Sequence, residues 1–271
     1  MRGGENFPVA LRILPREPRR HLVALYAYAR WVDDLGDRAA GGPRERLALL
    51  DAVDADLDRL DAGQQPRLPV VATLAPTVRS KGLPTRPLRD LVEANRVDQK
   101  VTRYPAWDDL RDYCRLSADP VGRLVLGIAG AATPRRIELS DDVCTALQVL
   151  EHLQDVREDA AAGRVYLPAE DRDRFGVTDT DLSAPAASGA LRACVRYETD
   201  RSAALLASGT ELVRSLHGWA RVAVSGFAGG GLATVAALRT AGHDPLTAPV
   251  RPGRRDAAVA ALRLLAGRSP R

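Results

Sequence analysis

Apolar residues recur every three to four positions along most of the chain, which is the period of an amphipathic α-helix. No run of alternating β-branched residues is long enough to predict a strand. Clusters of proline and glycine separate the helical stretches. The pattern predicts an all-α protein with helices at Arg19–Asp37, Arg44–Leu60, Leu68–Arg79, Pro87–Val101, Trp107–Leu116, Val121–Ala131, Asp141–Ala162, Ala190–Leu216, Ala220–Ala241 and Ala257–Leu265.

The composition supports one folded domain. The chain has 271 residues, of which 45% are hydrophobic and 27% are charged, so it can bury a substantial core. This excludes an intrinsically disordered chain, and three cysteines are too few for a disulfide scaffold. Because no linker is visible, we expect a single domain over residues 1–271, with flexible ends at about 1–5 and 243–271.

The apolar stretches and the cysteines favour a cytoplasmic protein. The first residues lack the apolar core of a signal peptide, and the widely spaced cysteines suit a reducing compartment. Val222–Leu238 carries no charge, but it is rich in glycine and slightly short for a membrane span. We expect it to form a closely packed buried helix, with membrane contact as the alternative.

The positive charge is carried almost entirely by arginine. The chain has 39 basic and 35 acidic residues, a net charge of +4, and its only lysines are Lys81 and Lys100. Guanidinium groups suit phosphates, but no basic stripe alternates with aromatic residues, so a nucleic-acid partner is not expected. The four histidines have no paired metal-ligand spacing and are expected at the surface or at helix caps.

Four pairs of aspartates are spaced four residues apart, which places both carboxylates of a pair on one helix face. The pairs are Asp33/Asp37, Asp54/Asp58, Asp108/Asp112 and Asp155/Asp159. Arginines follow each member of the third pair by three residues, which predicts ordinary surface ion pairs. The second pair is expected on a solvated acidic face. The first and fourth pairs need separate explanations.

Asp33 continues the apolar stripe of its predicted helix. The stripe predicts that this carboxylate points toward the core, where an unpaired charge is costly. Arg30 is the nearby cation on the same helix. The alternative is that the helix simply emerges into solvent at residues 35–37.

The fourth pair lies on a helix face with acidic residues on three successive turns. Glu151, Asp155 and Asp159 repel one another, and no basic residue stands three or four positions from Asp155. Periodicity also permits an exposed acidic face. Two carboxylate pairs that face each other in a bundle would bind Mg²⁺ and a diphosphate, since oxygen ligands favour a hard cation. Residues 163–188, which follow, are irregular and form a candidate flap.

Three segments resemble motifs of the squalene and phytoene synthase family. Residues 26–37 look like its first aspartate-rich motif, and residues 148–168 look like its second. Residues 113–123 are similar to its central pocket helix. The resemblance is collinear from about Asn6 to beyond Leu238. It implies an isoprenoid synthase helical bundle around a central cavity for a prenyl diphosphate.

Within that family, residues 5–9 and 117–123 are most similar to the bacterial hopanoid-pathway branch called hydroxysqualene synthase. The similarity implies conversion of presqualene diphosphate and water into hydroxysqualene and diphosphate, with Mg²⁺ and without a nicotinamide cofactor. Head-to-head condensation of two farnesyl or geranylgeranyl diphosphates is one alternative, and a non-catalytic pathway subunit is another. Because substrate and product are hydrophobic, peripheral membrane contact is a further hypothesis. Association with other enzymes of the squalene pathway is another.

The resemblance also implies roles for individual residues. Mg²⁺ would be held on one side by Asp33 and Asp37, and on the other by Asp155 and Asp159. The diphosphate would be reached by Tyr26, Arg30 and Arg164. The pocket in which the carbocation forms would be lined by Tyr113, Ser117, Gln148 and Tyr166. Glu151 stands where many relatives carry asparagine, which adds a negative charge to the second motif.

Overall fold

The structure, a computed structural model, describes residues 14–267. Within this range the chain forms helices and no strand longer than an isolated bridge, which confirms the all-α prediction. The helices are α1 (Arg16–Asp37), α2 (Pro43–Asp61), α3 (Pro69–Lys81), α4 (Arg86–Val97), α5 (Trp107–Ser117), α6 (Asp119–Ile128), α7 (Pro134–Gln154), α8 (Val156–Ala161), α9 (Ala169–Phe175), α10 (Asp179–Leu182), α11 (Gly189–Leu206), α12 (Ser208–Ser215), α13 (Gly218–Thr240) and α14 (Arg254–Leu265). The motif at residues 5–9 and the expected flexible end at residues 1–5 lie outside the described residues.

Local sequence signals set several helix ends. The Thr133 hydroxyl accepts a hydrogen bond from the Arg136 N–H (3.4 Å) at the start of α7. The Ser188 hydroxyl accepts one from the Leu191 N–H (3.2 Å) at the start of α11. Helix α3 ends at Gly82, whose φ of 60° is left-handed and easily reached only without a side chain.

Two helices that the sequence predicts as continuous are divided. The predicted Asp141–Ala162 helix is α7 and α8, which meet at Asp155, and the predicted Ala190–Leu216 helix is α11 and α12, which meet at Ala207. At Asp155 the backbone has φ −104° and ψ 14°, but the Asp159 N–H still donates to the Asp155 carbonyl (2.8 Å). The apolar period therefore continues across the break, which is why the pattern does not reveal it.

The segment at residues 163–188 contains two short helices, α9 and α10, so it is more regular than predicted. It is also anchored to the bundle. Asp171 on α9 is 4% exposed, and its carboxylate accepts a hydrogen bond from Arg201 on α11 (2.8 Å). A buried, hydrogen-bonded charge pair holds this part of the segment in place, because breaking it would leave a charge without a partner.

The apolar side chains form two clusters. The first is built mainly from α1 to α4, and its centre includes Leu22, Leu50 and Leu88. The second is built mainly from α5, α7, α11, α12 and α13, and its centre includes Leu150 and Leu191. Helices α6 and α13 contribute to both clusters. The first acidic motif therefore lies on the first cluster, and the second motif lies on the other.

Helix α13 contains the uncharged Val222–Leu238 stretch. It is long and apolar enough to cross a membrane, but 61% of its apolar window is buried inside the protein. Gly229 allows α14 to approach closely, since a Cβ at this position would lie 2.6 Å from the Ala261 nitrogen. The prediction of a closely packed core helix is thus confirmed for this stretch.

The segment after residue 243, predicted as part of a flexible end, packs against the core in its described part. Asp244 is 6% exposed, accepts hydrogen bonds from the backbone of Ala187 (3.1 Å) and Leu246 (3.0 Å), and pairs with Arg192 (2.6 Å). Leu264 at the end of α14 is also buried. These contacts attach α14 to the bundle.

Surface ion pairs account for the second aspartate pair and for Asp112 of the third, whereas Arg111, expected beside Asp108, pairs with Asp142 of α7 (3.3 Å). Arg89 contacts both Asp54 (3.5 Å) and Asp58 (2.8 Å), and Arg115 contacts Asp112 on the next helical turn. These residues are partly or largely exposed, so each pair contributes little to stability. Neither pair is available to build a site.

The prediction that all histidines lie at the surface or at helix caps is wrong for His21. This side chain is 2% exposed, and its Nδ1 is 2.9 Å from the Thr77 hydroxyl of α3. Its position on α1 falls within the apolar face, where a histidine is accommodated only with a polar partner. Thr77 is 56 residues away in sequence, and the other ring nitrogen lies 3.0 Å from the Glu17 carboxylate one turn earlier on α1.

Asp119 at the start of α6 is expected to make stability depend on pH. Burial, together with repulsion from Asp141, raises its pKa to about 7, against a weaker opposing hydrogen bond from Thr145. Because the folded-state pKa lies above the unfolded value, the fold favours the protonated form, and stability falls as pH rises from about 4 to about 7.

Asp119→Asn should remove much of this fall. The variant stays neutral and retains an oxygen that can accept from Thr145, so at pH 8 it should be more stable than the parent by up to about 4 kcal/mol. Urea unfolding of both proteins at pH 5 and pH 8 measures the difference. If the free energy of unfolding changes equally with pH in the two proteins, ionising Asp119 costs the folded state little free energy, and the expectation is wrong.

Candidate active site

The first acidic motif lies at the end of α1 and is joined by Arg164 to a cleft lined by Asp159 and Tyr166. Asp33 is exposed at the edge of the buried face that runs through Val32 and Gly36, so the prediction that it points into the core is wrong. Desolvation by the surrounding protein nevertheless raises the pKa of Asp33 to about 6, with repulsion from Asp37 and Glu151 acting in the same direction. Glu151 belongs to the second motif, so the two motifs are close enough to interact.

Asn95 on α4 holds the Asp33 side chain. Its amide donates to the Asp33 carboxylate (3.2 Å) and to the Leu91 carbonyl (3.1 Å). This contact requires glycine at position 36, because a Cβ there would lie 2.1 Å from the Asn95 Oδ1. The small residue before Asp37 therefore lets α1 and α4 approach closely enough to orient the first motif.

An ion pair joins the first motif to the loop after the second. The Arg164 guanidinium donates to the Asp37 carboxylate (2.9 Å), across 127 residues of sequence. Arg30, expected to reach the same ligand, lies 3.7 Å from Asp34 on its own helix. Tyr26 is half-buried on α1, two turns before Asp33. Arg164 thus reaches the first motif from a distant loop, and Arg30 lies beside Asp34 within the motif.

The second motif brackets the junction of α7 and α8. Asp155 is the junction residue, and burial raises its pKa, with Asp159 adding to the effect and Arg251 opposing it. Arg251, from the segment before α14, lies 3.6 Å from Asp155. Glu151 is exposed one turn earlier. Arg251 therefore offsets part of the negative charge at Asp155.

A cluster of tyrosines lies beside the two motifs. The hydroxyls of Tyr113 and Tyr166 both donate to the carboxylate of Asp98, at 2.8 and 3.3 Å. The two rings are 5.8 Å apart, and Tyr104 lies within 5.7 Å of each of them. Burial raises the pKa of both Tyr113 and Tyr166, so their hydroxyls stay protonated as donors.

His152 extends this cluster toward the second motif. Its ring stacks on Tyr166 with centroids 3.6 Å apart, and its Nδ1 lies 3.7 Å from Asp159. Gln148, predicted as a pocket residue, forms a hydrogen bond with the other ring nitrogen (3.0 Å). The expectation of a surface histidine is therefore wrong here too. His152 is half-buried because α7 directs it at the tyrosines.

Ser117, the remaining predicted pocket residue, ends α5. Its hydroxyl is buried, and no hydrogen-bond partner for it is found among the residues described. A buried hydroxyl without a partner is uncommon, because its desolvation is then uncompensated.

Sequence and structure comparisons agree on the family. The sequence pattern described as "Squalene/phytoene synthase" matches residues 1–259. A hydroxysqualene synthase of Zymomonas mobilis subsp. mobilis is 36% identical over 217 residues, which are 79% of this chain and 71% of that protein. The chain belongs to the squalene/phytoene synthase family. A phytoene synthase of Mycobacterium tuberculosis is 34% identical over 214 residues, covering 78% of this chain and 70% of the relative.

A solved structure supports the same assignment. The squalene synthase HpnC from Alicyclobacillus acidocaldarius superimposes with a TM-score of 0.82 and is 44% identical in sequence. The matched region covers 89% of this chain and 90% of the HpnC chain. The all-α arrangement described above is therefore the fold of the squalene/phytoene synthase family. Members of this family act on prenyl diphosphates, which gives the acidic and aromatic parts of the cleft a common context.

Four residues of this squalene/phytoene synthase site are missing from the sequence prediction: Asn95, Asp98, His152 and Arg251. Asp98 lies just after α4, and its two tyrosine partners are 15 and 68 residues away. In the sequence, Asp98 is recognisable only as an acidic residue that directly follows an apolar helix face, and many surface acidic residues share that feature. Arg251 belongs to a short basic run with Arg254 and Arg255, and such a run does not indicate an acidic partner 96 residues earlier.

The carboxylates of the two motifs fit a hydrated divalent cation. Among residues 14–267, no three acidic, histidine or cysteine side chains come close enough to enclose a metal by themselves. Mg²⁺ does not need such a cage, since it keeps several waters and takes one or two carboxylates together with phosphate oxygens. The raised pKa values of Asp33 and Asp155 mean that the protein disfavours their charged forms, which a bound cation would favour.

Proposed function

We propose that this protein converts presqualene diphosphate and water into hydroxysqualene and diphosphate. One observation carries the proposal: a charged end, formed by Asp33, Asp37 and Arg164, adjoins an aromatic wall formed by Tyr113 and Tyr166. A prenyl diphosphate has the same division between a charged diphosphate and a hydrophobic hydrocarbon tail. The similarity to a hydroxysqualene synthase supports the particular reaction.

The charged end would bind the leaving group. Arg164 is held at the cleft by Asp37, and a guanidinium can donate two parallel hydrogen bonds to a phosphate. Asp33 and Asp37 from α1, and Asp155 and Asp159 from α7 and α8, would hold Mg²⁺. When bound, Mg²⁺ supplies charge stabilisation for the diphosphate as the carbon–oxygen bond breaks.

The reaction balances without an oxidant or a reductant. The bond between the substrate carbon and the diphosphate oxygen breaks, and its electron pair leaves with the diphosphate. A water oxygen then forms a bond to the resulting carbocation, and one water proton is released. The protein's task is to stabilise opposite charges in turn: the leaving anion at the carboxylate and arginine end, and the carbocation at the tyrosine end.

The tyrosine cluster suits the second task. Asp98 fixes the hydroxyls of Tyr113 and Tyr166, so the two rings are held in defined orientations. Aromatic faces attract cations through the ring quadrupole. The chain has only 4% aromatic residues, so the gathering of three tyrosines and His152 at one place favours a role for their π faces.

Glu151 favours one substrate diphosphate over two. It is exposed at the second motif, and its charge already raises the pKa of Asp33. A second diphosphate would add further negative charge to the same cleft. The runner-up function, head-to-head condensation of two prenyl diphosphates, is supported by the similarity to a phytoene synthase.

Substrate choice distinguishes the two functions. Purified protein with Mg²⁺ should release diphosphate from presqualene diphosphate and give hydroxysqualene by mass spectrometry, without a nicotinamide cofactor. It should give no product from farnesyl or geranylgeranyl diphosphate alone. A condensed product from either of these would contradict the proposal and favour the runner-up.

A further inference from the structure

The outer face of α14, defined by Arg255, Ala258, Val259 and Leu262, is exposed and partly apolar. Leu262 is 64% exposed and Val259 is 47% exposed, although both are large hydrophobic residues. Three and four residues apart, these positions lie side by side on one helix face. A single exposed hydrophobic side chain needs no explanation, but Val259 and Leu262 are neighbours at the centre of a helix face and together form a small apolar surface.

The opposite face of the same helix is already used for packing. Ala261 lies against Gly229 of α13, and Leu264 is 1% exposed in the core. Arg221 of α13 also donates to the Leu265 carbonyl (2.7 Å). Helix α14 is therefore held rigidly by its inner face, and it presents the outer face outward.

Positive charge is concentrated in the same part of the chain. Residues 251–271 contain six arginines and one aspartate, which gives a net charge of +5 by sequence. The whole chain is only +4, so the remaining residues together carry −1. On α14 the arginines at 254 and 263 flank the apolar positions, and Arg255 lies among them. Such an asymmetry indicates an anionic partner for this region.

We infer that the outer face of α14 docks on an anionic lipid surface. A helix lying in the plane of a membrane interface combines an apolar strip with flanking arginines, which is the pattern found here. Arginines near the surface attract anionic headgroups, while Val259 and Leu262 enter the headgroup region. A nucleic acid would satisfy the arginines and leave the two apolar side chains without a favourable contact.

The docking surface is connected to the active site. The segment that leads into α14 carries Arg251, 3.6 Å from Asp155, and the Val250 carbonyl accepts a hydrogen bond from Gln154 at the end of α7. Docking α14 would therefore hold the second acidic motif close to the lipid surface. The inference itself does not depend on which prenyl diphosphate the site takes.

Vesicle flotation tests the inference with the full chain. The protein should float with vesicles of phosphatidylcholine and phosphatidylglycerol, and much less with phosphatidylcholine alone. Val259→Gln/Leu262→Gln keeps every charge but should weaken binding about tenfold or more, because two apolar side chains no longer leave water. Arg255→Gln/Arg263→Gln should also weaken binding and reduce its sensitivity to salt.

Val23→Gln/Leu49→Gln is the matched control. These residues are 48% and 40% exposed on α1 and α2, so the same chemical change is made away from α14, and binding should not change. Circular dichroism would check that each variant is folded. The inference is overturned if the anionic vesicles do not bind the protein, or if the Val259/Leu262 variant binds them as well as the parent. It is also overturned if light scattering shows a dimer that this variant dissociates, since a second copy would then cover the face.

Discussion

Replacing Asp33 and Asp155 with asparagine is expected to abolish turnover while leaving the protein folded. Each substitution keeps the shape of the side chain but removes a charge that would hold Mg²⁺ at one of the two motifs. Loss of such charge stabilisation in the transition state costs several kcal/mol, so we expect kcat to fall about 100-fold or more for each single variant. Diphosphate release under saturating substrate measures this directly.

Stability should not fall in the same variants. Desolvation by the surrounding protein raises the pKa of both carboxylates, which means that the folded state makes their charged forms less favourable. Neutral asparagine should therefore leave the urea midpoint at pH 8 unchanged or slightly higher. Asp108→Asn, at an exposed position on α5, is the control and should keep full activity. A folded double variant that retains near-normal turnover would show that these carboxylates do not take part, and would favour a non-catalytic protein.

Gly36→Ala is expected to have the second largest effect. The added Cβ would lie 2.1 Å from the Asn95 Oδ1 and 2.9 Å from its Cγ, so Asn95 or helix α1 must move. Overpacking of this kind costs about 1–3 kcal/mol. Because Asn95 donates to Asp33, the displacement should also reduce turnover about tenfold or more.

Two comparisons separate the steric effect from the effect on Asp33. Gly189→Ala is the matched control, since nothing lies within 4 Å of a Cβ at that position, and neither stability nor turnover should fall. In Gly36→Ala/Asn95→Ala the clash is removed, so stability should partly return, but turnover should stay low because Asp33 has lost its amide donor. Full activity in the double variant would mean that Asn95 does not orient Asp33.

Local sequence patterns predicted most helices and both acidic motifs. The stripe through Leu22, Leu25 and Val32 defines α1, and all three residues are buried as expected. The division of α7 from α8 was not predictable, because the break at Asp155 changes two dihedral angles while the Glu151–Asp155 and Asp155–Asp159 backbone hydrogen bonds and the apolar period continue across it. Periodicity reports which face is apolar, and a one-residue turn hardly alters that face.

The parts of the site that the sequence missed depend on contacts between distant residues. Asp98 acquires its role from Tyr113 and Tyr166, and Arg251 acquires its role from Asp155, 96 positions earlier in the chain. No spacing rule connects such residues, because the packing of the two apolar clusters decides which helix ends meet. Conversely, the spacing of Asp54 and Asp58 is identical to that of Asp33 and Asp37, and tertiary contacts distinguish the pairs: Arg89 contacts both members of one, and Asn95 holds Asp33 of the other.

Isotope incorporation from heavy-oxygen water tests the central claim most directly. If the site ionises presqualene diphosphate and directs water to the carbocation, the label must appear in the hydroxyl of hydroxysqualene, and the released diphosphate must be unlabelled. Mass spectrometry of both products reads this in a single reaction with Mg²⁺. Label in the diphosphate would show cleavage of a phosphorus–oxygen bond, and it would contradict the account.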